Sequence, residues 1–255
     1  MQVIYSLLMG LRPAPLASAL KRLLFIRRRI LKTKLGSFFI DPASNFGFTL
    51  FSKGRYEPEM IDALQRLLVP GDTFLDIGAN EGYFSVLASR LVGATGSVIA
   101  VEPQSRLQSV LFRNIAENGA FNLQVFQRVL ADSAGVATLS LSPDMNTGSS
   151  GVFRTARYRV PSEQVPQTTL ATFLGLLSVE RIKLMKMDVE GFEYEVVLGS
   201  KDVFRSGRIE YIALELHPQF LERRGKSESD ILAFLHECGY AVQPGFGTLV
   251  LKRTV

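Results

Sequence analysis

From residue 72 to residue 217 of this 255-residue chain, short apolar runs alternate with amphipathic stretches, and that alternation restricts the possible folds most. DTFLDIG, GSVIAVEP, RIKLMKMDVEG and IEYIALELHP read as buried strands, the third ending in a turn. YFSVLASRLVG, SRLQSVLFRNIAENGA and FEYEVVLGSKDVFRSG read as helices among them. Strands that recur with a helix between them lie parallel, so the pattern predicts an α/β fold with helices on both faces of the sheet. FNLQVFQRVL is expected to form one strand and VATLSLS a hairpin arm, whereas residues 143–168 lack periodicity and read as a long loop. PEMIDALQRLLVPG and ESDILAFLHECG predict flanking helices, and YAVQPGFGTLVLKR predicts two short strands forming an antiparallel edge.

The formal charge of +5 is unevenly placed. Residues 1–40 hold Arg12, Lys21, Arg22, Arg27, Arg28, Arg29, Lys32 and Lys34 and no acid, which leaves 21 basic against 24 acidic side chains in the rest. A body of that balance argues against nucleic-acid binding, which spreads Lys and Arg over a folded face. We therefore divide the chain into a basic extension, residues 1–56, and one domain, residues 57–255. The stretch LASALKRLLFIRRRILKTKL has Leu20, Leu23, Leu24, Ile30 and Leu31 at roughly helical spacing among its cations. It reads either as a helix packed on the domain by its apolar stripe or as a basic amphipathic helix on an anionic membrane surface. No apolar run reaches the roughly 18 to 20 residues of a bilayer span, and the order of charges is not that of a signal peptide. The lone Cys238 has no internal disulfide partner, which suits a reducing compartment. The expected location is cytoplasmic, and the amphipathic-helix reading would add peripheral contact at the inner face of the membrane.

FLDIGANEGYFS, residues 74–85, places a glycine turn after the first strand of the alternating region. Ligands of open α/β sheets sit beyond the carboxyl ends of such strands. Gly78 permits a tight turn, and Gly82 is expected to let the helix start close to a ligand. The spacing G-x-x-x-G departs from the dinucleotide pattern G-x-G-x-x-G. Asp76 and Glu81 would also repel a pyrophosphate at the helix N-terminus, whereas a cationic nucleoside such as S-adenosylmethionine meets no such conflict. Glu102, 20 residues after Gly82 at the end of the second strand, suits the two hydroxyls of a ribose. An NAD(P)-dependent oxidoreductase is the enzyme alternative, weakened by the missing glycine.

FLDIGANEGYFS, AVEP, VLADSAGVATL and IKLMKMDVEGFEYEVVLG together resemble the FkbM-like branch of class I S-adenosylmethionine-dependent methyltransferases, over roughly residues 57–252. The resemblance implies a Rossmann-like seven-stranded sheet of order 3-2-1-4-5-7-6 and, in many members, O-methylation of sugar or polyketide-like hydroxyls. By the same resemblance Asp76, Gly78, Asn80 and Gly82 would line the methionine end, Glu102 would hold the ribose and Asp132 would lie beside the adenine. Ala79 and Pro103 belong to the same cofactor-binding set. One departure is TTLATF, where Ala171 stands in place of an acid found in many relatives. Together with the basic extension, this leaves a non-catalytic scaffold or membrane-associated protein of the same fold as a further alternative.

Transfer to a hydroxyl needs an in-line arrangement and a group to take the proton. Asp188 and Glu190 follow one strand in KMDVEG, and Glu215 and His217 end another in ALELHP, so all four should meet at one rim. Asp188 and His217 are the leading candidates for the base, and the residues alone do not choose between them. Asp188 and Glu190 could instead cap the following helix. The four could also surround a divalent cation, but their spacing is too loose to assign one, and no metal is expected. His236, on a helix with apolar neighbours, reads as a packed or surface histidine. Lys186 receives no role. The expected acceptor is a small-molecule or glycan hydroxyl, and Arg154, Arg157 and Arg159 could contact an anionic one.

Overall fold

The computed structural model describes Tyr5, Leu8, Leu11 and residues 20–142, 150 and 161–254. Within these, the chain opens with an antiparallel hairpin, β1 (Arg29–Thr33) and β2 (Gly36–Ile40), in which Arg29 faces Ile40 and Thr33 faces Gly36. Helices α1 (Asn45–Lys53) and α2 (Pro58–Leu67) lead into β3 (Thr73–Ile77), α3 (Tyr83–Val92), β4 (Ser97–Val101), α4 (Ser105–Asn118) and β5 (Leu123–Phe126). A small excursion follows through β6 (Val129–Ala131), β7 (Gly135–Ser140) and β8 (Ser162–Thr169). The chain then builds α5 (Leu170–Leu176), β9 (Ile182–Met187), α6 (Glu193–Leu198), α7 (Lys201–Arg205) and β10 (Ile209–Leu214). It closes with α8 (Pro218–Glu222), α9 (Glu228–Glu237), β11 (Tyr240–Val242) and β12 (Leu249–Arg253).

The main sheet has the order β5-β4-β3-β9-β10-β12-β11; numbered in chain order within the sheet, this is 3-2-1-4-5-7-6. All neighbours are parallel except β12, which runs antiparallel to β10 and β11. Alternation along the central strands divides the core in two, because successive side chains point to opposite faces. Phe74, Val98, Leu184 and Ala213 pack into one layer with α1 to α4. Leu75, Ile77, Ile99, Met185 and Ile212 pack into the other with α5, α6, α7 and α9.

The basic segment is not one helix. Residues 20–23 are helical, but Arg29 to Ile40 pair as the hairpin, which has alternate rather than helical burial. Phe38 and Ile40 are fully buried in the same core as Phe74, with Phe46 and Leu50 of α1 beside them. Residues 36–53 are thus integral to the domain, although their sequence reads as an extension.

Three further expectations change. FNLQVFQRVL splits into β5 and β6, which belong to different sheets; both halves are apolar, so the run gives no sign of the break. FEYEVVLGSKDVFRSG breaks into α6 and α7 at Gly199, where a Cβ would stand 2.3 Å from the Asp132 Cα. Residues 162–168 of the expected loop 143–168 belong to β8, which pairs antiparallel with β7 and parallel with β6. Arg154, Arg157 and Arg159 lie outside the described residues.

Candidate active site

Backbone hydrogen bonds bring the carboxyl ends of four strands into one rim. The Gly78 amide donates to Val101 O (2.9 Å), Asp188 to Ile77 O (3.0 Å) and Glu215 to Met187 O (3.0 Å). Each residue that follows a strand is thereby pinned to its neighbour, and strand order reverses between β3 and β9, where open α/β sheets bind ligands.

A cleft of about 620 Å³ opens there, lined by Gly78, Asn80, Glu102 and Pro103 on one side and by Val129, Leu130 and Leu139 from the small sheet on the other. Glu102 is 3% exposed and accepts the amides of Asn80 (2.8 Å) and Gln104 (2.9 Å). Burial pushes its carboxyl up to about 7 despite both bonds. Asn80 has φ 51°, a left-handed conformation that turns its amide toward Glu102.

Other expected donor residues stand elsewhere. Asp76 is wholly buried inside β3, beneath the cleft, where Ser85 Oγ donates to it at 2.5 Å and Lys186 Nζ lies 3.7 Å away. Glu81 lines the adjoining cleft and not this one, and Arg28 donates to both its carboxylate oxygens at 2.8 Å. The carboxylate counted against a pyrophosphate is therefore already compensated, so the electrostatic argument from sequence holds only in part. Gly82 serves helix packing, since a Cβ there would meet Leu111 Cγ at 3.0 Å. Asp132 is exposed and packs against Gly199; it is not among the residues lining the cleft, whose apolar end comes from Val129 and Leu130 instead. Ala79 lines the adjoining cleft.

That second cleft, about 830 Å³, is walled by Phe46, Tyr56, Glu57, Lys186 and Glu215. It shares Gly78, Asn80, Asp188 and Glu190 with the first. Asp188 and Glu190 are the acids that border both. His217 is the residue just before α8, and its Nε2 lies 3.7 Å from Glu190, 3.9 Å from Asp188 and 3.9 Å from Glu215. Its Nδ1 is 2.8 Å from Glu193, which is fully buried and also accepts the Gly191 amide at 3.0 Å.

Burial alone would lower the imidazole, but the hydrogen bond and charge of Glu193, with Asp188 and Glu190, push it up to about 9. At neutral pH His217 therefore carries its proton and cannot accept another. Burial, with Asp188 and Glu215 nearby, pushes the Glu190 carboxyl up to about 7, against the lowering effect of His217. Lys186, 3.7 Å from both Asp76 and Asp188, is raised by those acids against the effect of burial. Asp188, Glu190 and His217 each offer one ligand atom within 4.8 Å of the others, a spacing a divalent cation could bridge; Lys186 already supplies a positive charge beside Asp188.

Ala171 is exposed near the start of α5 and lines neither cleft, so an acid there would favour the helix N-terminus without reaching the ligand. His236 is exposed on α9. Sequence reasoning missed Glu193, Tyr56, Glu57 and Arg28. Glu193 sits in FEYEVV, where an acid reads as an ordinary helix start, and the Arg28 partner lies 53 residues from Glu81.

A sheet of this order, with an acid ending its second strand beside a glycine turn at the switch point, is the architecture of class I methyltransferases. Residues 76–242 match the family model of the methyltransferase FkbM domain, and the chain belongs to that family. Its methyl donor is S-adenosylmethionine. The chain is 30% identical over 161 residues to methyltransferase sdnD of Sordaria araneosa, covering 51% of this chain and 61% of that protein. It is 27% identical over 242 residues to the AMB antimetabolite synthetase AmbE of Pseudomonas aeruginosa, covering 73% of this chain and 11% of the synthetase. The chain thus spans less than two thirds of either relative. A Clostridium thermocellum structure described as an rRNA-methylase shares the fold at TM-score 0.50 and 9% identity, covering 78% of this chain and 95% of that one.

Proposed function

We propose that the chain transfers the methyl group of S-adenosylmethionine to a hydroxyl of a sugar, glycan or small secondary metabolite, with Glu190 taking the proton. The observation that carries this reading is that Asp188 and Glu190 border both clefts, so a donor in one and an acceptor in the other would meet at their carboxylates. The acceptor oxygen attacks the methyl carbon, the carbon–sulfur bond breaks with its electrons going to sulfur, and the hydroxyl proton passes to Glu190. Among the rim acids, Glu190 combines this position with a carboxyl held near 7, where a general base is most effective at neutral pH. Its backbone has φ 52°, a strained conformation of the kind found at functional sites. Protonated His217, 3.7 Å away, favours the Glu190 anion and is fixed by Glu193. Asp188 orients the acceptor hydroxyl. Besides Glu81, which Arg28 engages, four carboxylates line the second cleft, Glu57, Asp188, Glu190 and Glu215, and they suit a ligand rich in hydroxyl donors.

The test is methyl transfer from isotopically labelled donor to a panel of monosaccharides, glycans and hydroxylated metabolites, with amines as controls. Transfer to hydroxyls by the wild type, and a fall of roughly 10²- to 10⁴-fold in Glu190→Gln with donor binding kept, is expected. Transfer to amines alone, or full turnover by Glu190→Gln, would overturn the reading.

A further inference from the structure

The basic segment carries a feature that the transfer reaction does not use. Leu23, Leu24 and Phe25 are consecutive and 72%, 47% and 77% exposed, whereas the other exposed large apolar side chains of the described residues are scattered singly along the chain. They sit on a tight turn: the amides of Leu24, Phe25 and Ile26 donate to Leu20 O, Arg22 O and Lys21 O at 2.9, 3.0 and 3.1 Å. Phe25 takes the left-handed position, φ 51°, where such turns ordinarily carry glycine. A bulky side chain there is strained, and exposing it to water adds a second cost.

The turn is held firmly to the domain on both sides. Lys21 pairs with the buried Asp41, and Arg28 grips the buried Glu81. Ile26 packs with Leu8 and Ala43. Between these anchors Arg22 and Arg27 are exposed, one on each side of the apolar tip. No acid precedes Asp41 in the sequence.

We propose that this turn is a membrane-docking wedge: Leu23, Leu24 and Phe25 enter the headgroup region of an anionic bilayer while Arg22 and Arg27 meet lipid phosphates. Apolar side chains in the interface and flanking cations at the anionic surface are the two contributions that hold a protein on a bilayer without a spanning helix. Charge complementarity selects the bilayer over a second copy of this chain, whose own tip would bring like charges together. Deleting residues 1–40 would not test this, because Phe38 and Ile40 belong to the core.

The chain has no tryptophan, so Phe25→Trp makes a single reporter at the tip. The probes are vesicles of phosphatidylcholine alone and of phosphatidylcholine with phosphatidylglycerol, with S-adenosylhomocysteine binding as the folding control. On mixed vesicles, the expected result is a blue shift and quenching by brominated acyl chains, reversed by salt. Either Leu23→Ser with Leu24→Ser or Arg22→Glu with Arg27→Glu should weaken partitioning by about tenfold or more while leaving donor binding intact. No spectral change at about millimolar anionic lipid overturns the proposal. Partitioning unaffected by either pair, or a lipid-independent blue shift that tracks dimer formation, overturns it as well.

Discussion

A Cβ built on Gly78 would stand 1.8 Å from the carbonyl oxygen of Asp188, so the donor turn after β3 and the acid-bearing turn after β9 touch backbone to backbone. Gly78 also has φ 83°. Gly78→Ala must therefore push the Asp188 turn away from the donor turn. Calorimetry with S-adenosylhomocysteine is expected to show donor affinity reduced by more than about tenfold, and turnover should fall further, since misplacement near 1 Å can cost about 10²-fold.

With Glu190 as the proposed base, the pH dependence of turnover follows from Glu190 and His217. Glu190 accepts a proton only when ionised, so kcat/KM should rise about tenfold per pH unit below its value near 7 and level off above it. His217 loses its charge only as pH passes about 9, where Glu190 is already ionised, so the plateau is expected to extend through that value. The same group affects stability: its folded value of about 9 lies above the ordinary 6.5, so its contribution is present below pH 6.5 and is lost as pH rises through 9. His217→Gln should show a smaller fall in Tm between neutral pH and pH 9.5 than the wild type, a window set by that shift.

Donor binding has its own titration. Glu102 is suited to the ribose hydroxyls as an anion, and burial holds its carboxyl near 7 before the donor arrives. Affinity for S-adenosylhomocysteine should therefore weaken as pH falls from 8 to 6 through that value. Glu102→Gln is expected to bind more weakly at pH 8 and to lose most of this dependence; equal slopes for the two proteins would show that another group governs it.

Arg28 and Glu81 make a different kind of prediction. The Glu81 side chain is 1% exposed, so Arg28→Ala would leave a buried carboxylate with its main partner gone. Loss of one partner of such a pair costs about 3 to 5 kcal/mol, and a lowered Tm should report it. Adding Glu81→Gln should recover part of that loss, because the second change removes the stranded charge.

The strand and helix positions were largely legible because each depends on local periodicity. The donor turn was legible because left-handed backbone favours glycine. The parts that were not legible depend on contacts without a local signature. FNLQVFQRVL bends between two sheets with both halves apolar, and RIL in the basic segment reads equally as a helix stripe or as the start of β1. Asp132 was carried to the adenine by resemblance of its surroundings, yet it packs on the Gly199 backbone while Val129 and Leu130 form the wall.

By itself, the sequence determined the α/β alternation, the glycine turn, Glu102 at the end of the second strand and the four candidates at the strand-end rim, because these are set by spacing within a few residues. Only the tertiary structure decided what the charges do. Arg28 takes Glu81 across 53 residues, and Glu193 takes His217 across 24. A charge buried in the fold is governed by whichever partner the packing brings within hydrogen-bond reach, and that partner is chosen by long-range contacts that no local pattern records.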